Sequence, residues 1–261
     1  MSSNILEVSD LTVQFGGVIA CDDVSFDVRR GELFALIGPN GAGKTSIVNA
    51  ITGVYQPNEG GSIKYIDRGG TQHQIVGQLP HKIVRFGVAR TFQNLGLFPS
   101  LTVLDNLLLG RYSHQRSNVL SAGFYTRSVV REEVAAREAV ERLIDLLEIH
   151  QYRWSPVGHL PYGVQKRIEF GRVLAMEPDL LLLDEPAAGM TLEEKRDIVR
   201  FIFAARRQYG ITVLLIEHDM AVVMSIADRV LALNYGETLA LGVPADIRTN
   251  QAVIDAYFGV D

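Results

Sequence analysis

The sequence predicts an α/β fold: a mostly parallel, doubly wound sheet with an N-terminal antiparallel β subdomain and a helical subdomain. Three observations carry that expectation. Apolar runs alternate with helix-periodic segments over the last hundred residues, as in parallel βαβ units. The first thirty residues show the two-residue period of half-buried strands. Between about 94 and 160 the pattern turns helical. The expected organisation is one domain over 1–261, with 1–93 and 161–261 forming the sheet-bearing core and 94–160 the helical subdomain.

Taken in order, "ILEVSDLTVQF" and "VSFDVRRGEL" read as two strands joined through "GGVIACDD". "ELFALIG" is a short continuous apolar run, which suits a strand buried on both faces. A glycine-rich loop follows, then the apolar-periodic "TSIVNAITG", with Gly53 placed to end that helix. "GSIKYIDRGGTQHQIVG" reads as a hairpin around Gly69 and Gly70. Further on, Val140, Leu143, Ile144 and Leu147 fall at the spacing of a buried helical stripe. After 160 the expected succession is helix 163–176, strand 180–183, helix 192–208, strand 211–216 and helix 219–227. "RVLAL" and "TLALG" then flank "NYGE" as a hairpin.

Bulk properties bound the function. The chain has 261 residues, 47% of them hydrophobic, with a formal net charge of −5. The pI is about 5.7. That field gives no reason to expect a nucleic-acid binder. Cys21 is the single cysteine, which rules out an internal disulfide and reads as a small buried apolar residue. No apolar run is long enough to span a bilayer, so a membrane role would have to run through partners. "MSSNILEVSD" lacks the charged start and apolar core of a secretory signal.

Two motifs carry chemistry. "GPNGAGKT", residues 38–45, fits G-x-x-x-x-G-K-[ST] and sits between a buried strand and a helix. Its glycines Gly38, Gly41 and Gly43 let backbone N–H groups turn around phosphate oxygens, and the helix N-terminus adds its positive end. Lys44 can neutralise β- and γ-phosphate charge, and the Thr45 hydroxyl can ligate Mg²⁺. The nucleotide-binding set is Gly38, Pro39, Asn40, Gly41, Ala42, Gly43, Lys44, Thr45 and Ser46. "LLLLDEP", 180–186, is an apolar strand ending in two acids: Asp184 faces the magnesium shell and Glu185 is placed to polarise a water.

With "RTFQN", "LPYGVQKR", "LLLLDEP" and "IEHD" following the phosphate loop in that order, the chain resembles the ATP-binding subunit of ABC transporters over essentially its full length. The resemblance implies ATP and Mg²⁺ as cofactors. It makes Gln93 the Q-loop glutamine, a magnesium and water contact that also senses the membrane partner. It makes Glu185 the catalytic base, His218 the switch histidine near the γ-phosphate, and Phe15 the aromatic that stacks on adenine. "LPYGVQKR" stands where the family usually writes Leu-Ser-Gly-Gly-Gln, so Tyr162 and Gly163 would contact ATP held by a second subunit. Pro161 and Tyr162 replace the usual Ser and Gly, and Val164 replaces Gln. A serine hydroxyl to phosphate is thereby lost, roughly 1.5–3 kcal/mol if charge-assisted. Felt only in the transition state, that is roughly 10- to 150-fold in rate.

Thr191 stands where the family has an aspartate. That departure, with "ARTFQNLGLFPSLTVLDNLLLGR" and the tail "IEHDMAVVMSIADRV…DAYFG", looks like the branched-chain amino acid importer type. The resemblance implies a peripheral protein on the cytoplasmic face of the inner membrane. Its implied partners are a second ATPase subunit (a paralogue, or another copy of itself), two permeases docking in the groove after Gln93, and indirectly an external solute-binding protein. Phe98 and Pro99 are candidate groove contacts. Other readings require features of their own. A lipopolysaccharide-type exporter would keep a fuller signature and an aspartate at 191. A soluble ABC ATPase acting on DNA or in translation would need a coiled coil, tandem cassettes or basic arms. A P-loop kinase or GTPase would not need the signature helix and the switch histidine.

Overall fold

A computed structural model describes residues 4–58, 60–91, 95–114 and 127–258. The chain falls into two compact units. One is Met1–Arg90 with Asp179–Ala188 and Arg206–Asp261; the other is Thr91–Pro178 with Gly189–Ala205.

The first unit holds two sheets. Strands β1 (Asn4–Phe15), β2 (Val18–Arg29), β4 (Ser62–Ile66) and β5 (Gln72–Gln74) form an antiparallel sheet in the order β2-β1-β4-β5. The second sheet runs β10-β9-β3-β8-β7-β6, with β3 (Leu33–Ile37), β6 (Val88–Arg90), β7 (Leu180–Asp184), β8 (Thr212–Ile216), β9 (Arg229–Asn234) and β10 (Glu237–Gly242). Its pairs are parallel except β9–β10. Every residue of β3, β7 and β8 is buried, which is why these segments read as unbroken apolar runs rather than alternating ones. The sheets share a core in which Phe26 of β2 stacks on Phe34 of β3, ring centroids 5.4 Å apart.

One expected boundary is corrected. The connection between β1 and β2 is Gly16–Gly17 alone, and "VIACDD" belongs to β2. Asp23 at φ 50° and the register shifts along the pair mark bulges, and each extra residue breaks the alternation that identifies a strand.

Helix α1 (Lys44–Ile51) follows β3, with Gly53 just beyond it at φ 73°. A Cβ on Gly53 would lie 2.7 Å from Ile83 Cδ1 and 2.8 Å from Gln78 O, so both conformation and space require glycine. The unit also contains α2 (Pro80–Phe86) before β6, and after β8 the helices α7 (Met220–Ile226), α8 (Pro244–Thr249) and α9 (Gln251–Phe258).

The second unit is helical: α3 (Val103–Gly110), α4 (Arg127–Leu146), α5 (Tyr162–Leu174) and most of α6 (Leu192–Tyr209). The α4 stripe of Val140, Leu143 and Ile144 is buried, as is Leu147 just past its end. Among the described residues no helix is long and apolar enough to cross a membrane.

Candidate functional site

Parallel strands deliver their C-terminal ends to one edge of a sheet, and that edge is where an open α/β fold places its ligands. Here β8 lies between β3 and β7. The loop of Gly38–Gly43 leaves β3, Asp184 ends β7 with Glu185 next, and Glu217 and His218 follow β8. Three sequence motifs thus meet at neighbouring strand ends.

The phosphate loop turns through three glycines at positive φ: Gly38 at 152°, Gly41 at 83° and Gly43 at 97°. A Cβ on Gly43 would lie 2.4 Å from Ala20 O, so β2 leaves room only for glycine there. Cys21 completes that contact, donating from Sγ to Gly43 O at 3.4 Å. Burial pushes its thiol up to about 12, which keeps it an inert neutral group. Gly43 caps α1 without a side-chain bond, and no acid occupies the first turn. The N-terminal N–H groups of α1 and its positive end are therefore left to an anion.

Lys44 is buried and curls back, its Nζ donating to Gly38 O and Pro39 O at 2.8 Å each. Burial lowers its pKa, opposed by the charges of Glu185 and Asp184. The lysine thus feels both acids. Thr45, Asn40 and Gly41 are exposed, Pro39 and Ser46 half-buried, and Ala42 buried.

Asp184 is buried and paired with Arg90, whose Nη2 donates to Oδ2 at 2.7 Å while Nη1 donates to Asn49 Oδ1 at 2.5 Å. The guanidinium ties the ends of β6 and β7 to α1. Glu185 sits at φ 50°, unusual for a residue with a side chain. Its N–H donates to Ile216 O at 2.9 Å, and its Oε1 lies 2.6 Å from His218 Nε2. The two residues expected to handle the attacking water are therefore in direct hydrogen-bond contact.

Glu217 organises that pair from behind. It is buried, and its two oxygens take separate amides: Ala187 N–H donates to Oε1 at 2.8 Å and His218 N–H to Oε2 at 3.0 Å. One carboxylate thus fastens the loop after Glu185 to the loop carrying His218. Sequence reasoning misses both Arg90 and Glu217. The available signal for Glu217 is an acid closing the apolar run "TVLLIE", the same pattern that singles out Asp184.

Phe15 is 46% exposed at the end of β1, packed edge-on against Tyr55 with centroids 4.7 Å apart. It presents an aromatic surface that is not consumed in the core. Gln93 lies outside the described residues.

Tyr162 and Gly163 open α5 in the second unit, with Pro161 as the N-cap residue at φ −55°, ψ 149°. The Pro161 carbonyl accepts from Val164 N–H and Gln165 N–H at 3.0 Å each, so the substitution leaves the helix start intact. Gly163 is buried against Glu194: a Cβ there would lie 2.0 Å from Glu194 Oε1. Thr191 donates to Glu194 Oε2 from both its N–H (2.8 Å) and its hydroxyl (3.0 Å), while Glu194 N–H donates back to Oγ1 at 3.3 Å. That is a capping box, written "TLEE" in the sequence and likewise missed there.

A glycine cradle at a helix start, an acid pair two strands away and a histidine between them define a P-loop nucleotidase site. The ABC transporter family model matches residues 21–188, and a branched-chain amino acid ATP-binding cassette transporter model matches 237–261. The chain is 42% identical to the high-affinity branched-chain amino acid transport ATP-binding protein BraF of Pseudomonas aeruginosa, over 99% of each. It is 38% identical to LivG of Escherichia coli, of the same description, again over 99% of each. Among solved structures, the ADP conformation of MJ1267, an ATP-binding cassette of an ABC transporter, superposes with a TM-score of 0.84 at 28% identity. That match covers 99% of this chain and 100% of that one. The chain belongs to the ABC transporter family, whose ATP-binding subunits hydrolyse ATP to power transport.

Proposed function

We propose that this chain is the ATP-hydrolysing subunit of an importer for branched-chain amino acids or related small polar solutes. The carrying observation is the end-to-end 42% identity with BraF, which extends through the C-terminal segment matched as branched-chain amino acid type.

In this reading amides of the loop beyond Pro39, together with Lys44, hold the phosphates. The donor set suits Mg²⁺, because the exposed Thr45 hydroxyl and the Asp184 carboxylate are hard oxygen ligands and few in number, as that ion prefers. When bound, Mg²⁺ would neutralise charge on the β- and γ-phosphate oxygens. Gln93 is proposed to join that set and the water. Glu185 takes the proton of the attacking water, and His218, already hydrogen-bonded to it, fixes its carboxylate and stabilises developing charge. Phe15 offers its exposed face to adenine. Tyr162 and Gly163 are proposed to face nucleotide held by a second ATPase subunit, a paralogue or another copy of this chain.

The permease contact is proposed for the helical subdomain, 94–160. Phe98 is 52% exposed, and its loop is held by the fully buried Asn106. That side chain accepts from Phe98 N–H at 2.9 Å and donates to Phe98 O, Leu101 O and Thr102 O. An exposed aromatic on a rigidly held loop is a suitable seat for a partner helix. The protein would then sit peripherally on the cytoplasmic face of the inner membrane, reaching an external solute-binding protein only through its permeases.

Purification from native membranes in mild detergent tests the assembly. Two different permeases with a second ATPase are expected. Recovery with lipid-export subunits, or with no membrane protein, would overturn the importer assignment.

A further inference from the structure

The tail sequence "DAYFG" has no part in the chemistry above, yet one of its side chains reaches the phosphate loop. Tyr257 on α9 accepts a hydrogen bond at its hydroxyl from Gly38 N–H, at 2.6 Å and across 219 residues of sequence. Gly38 is where the loop leaves β3. A Cβ on Gly38 would stand 2.3 Å from Leu233 O of β9. The entry to the loop is therefore in close contact with both a strand carbonyl and the tyrosine hydroxyl.

Tyr257 is well suited to hold that position. Burial raises its pKa, with the Gly38 N–H opposing, so the group stays a neutral phenol. The helix that carries it is seated on a small core: Ile247 and Val253 are buried, with Met220, Met224 and Tyr257 packed against them. A cavity of about 430 Å³ opens among Met220 and Met224 of α7, Ile247 of α8, and Val253, Ile254 and Tyr257 of α9. Helix α7 itself starts two residues after His218. The structure thus joins a direct hydrogen bond at the loop to a helix seated on the core.

We propose that α9 is a latch on the phosphate loop and that Tyr257 is its positioning residue, holding Gly38 so that the loop amides are preorganised for nucleotide. A loop with three glycines at positive φ must otherwise lose much backbone freedom when it closes on phosphate. Fixing its first residue removes part of that loss before ATP arrives. The proposal rests on the loop being the nucleotide site.

Tyr257→Phe in the full chain keeps the ring and the cavity wall and removes only the hydroxyl. One ordinary hydrogen bond corresponds to roughly two- to tenfold in affinity. ATP·Mg binding to the purified protein is expected to weaken by that factor, and hydrogen exchange at the Gly38 amide to quicken. Tyr257→Ala is expected to weaken binding further and also to lower the melting temperature. Wild-type ATP affinity in Tyr257→Phe would overturn the latch, and so would a lowered melting temperature with affinity unchanged. Failure of the wild-type chain itself to bind ATP would sink the nucleotide site as well, so the two failures are told apart by the parent protein.

Discussion

Replacing Glu217 by glutamine tests the idea that one buried carboxylate couples the loop of Glu185 to that of His218. The change conserves size, so no cavity enters the reasoning. Its effect is on donors and acceptors. The two carboxylate oxygens take amides from Ala187 and His218, at 2.8 and 3.0 Å. A carboxamide has one oxygen; its NH₂ must face the other amide, donor against donor. One charge-assisted bond is lost and one buried N–H is left unmatched, a cost of about 2–3 kcal/mol. At about 2–4 °C per kcal/mol for a chain of this size, the nucleotide-free protein is expected to melt about 4–12 °C lower. The loosened loops carry Glu185 and His218, so kcat for ATP should fall at least about tenfold, or 1.4 kcal/mol in the barrier. ATP affinity should change less, since the phosphate loop is untouched. Differential scanning calorimetry and steady-state ATPase of the assembled transporter measure both. A Glu217→Gln protein that melts with wild type and turns over normally would refute the coupling.

Two further outcomes follow from the same edge of the sheet. Glu185→Gln keeps the hydrogen-bond reach to His218 but removes the base, so ATP should still bind while hydrolysis stops and an ATP-bound dimer accumulates on gel filtration; normal turnover would remove Glu185 from that role. Arg90→Met takes the guanidinium away from the buried Asp184, and urea denaturation should register a loss of about 3–5 kcal/mol, against less than about 1 kcal/mol if the pair behaved as a surface bridge.

What can be read directly from the chain is whatever is local in sequence. The phosphate loop, the strand ending in Asp184 and Glu185, and the α4 stripe each lie within a few consecutive turns or strand residues. Their periods survive because both faces of β3 and β7, and one face of α4, are buried. The start of β2 is obscured for the opposite reason. Val18 and Ile19 are exposed, and a bulge at Asp23 shifts the phase, so apolar and polar residues no longer alternate. Arg90 and Tyr257 are illegible because their meaning lies in partners 94 and 219 residues away, while Glu217 closes an apolar run as Asp184 does but fastens a loop 30 residues away. A lone arginine or tyrosine carries no period and no spacing; only the parallel order of β3, β8, β7 and β6, and the packing of α9, bring each to its partner.

The departure at 191 is linked through Glu194 to the glycine that the altered signature retains at 163. Thr191 and Glu194 close the capping box of α6, and the same carboxylate rests on Gly163 at the start of α5. A threonine can replace aspartate at 191 because either side chain caps a helix. Gly163 cannot grow without displacing the glutamate that completes the cap. In Gly163→Ala the new Cβ would meet Glu194 Oε1 at 2.0 Å, and the flexible carboxylate must move away. The alanine gains about 1 kcal/mol of helix propensity, while the lost cap costs about the same, so the single variant has little diagnostic value. The cycle with Thr191→Ala does have it. Alone, Thr191→Ala should cost about 1 kcal/mol; in the Gly163→Ala background, where the cap is already broken, it should cost much less. A coupling of about 0.5–1 kcal/mol in denaturant titrations is therefore expected, and additivity within about 0.3 kcal/mol would show that the signature helix and the residue at 191 vary independently.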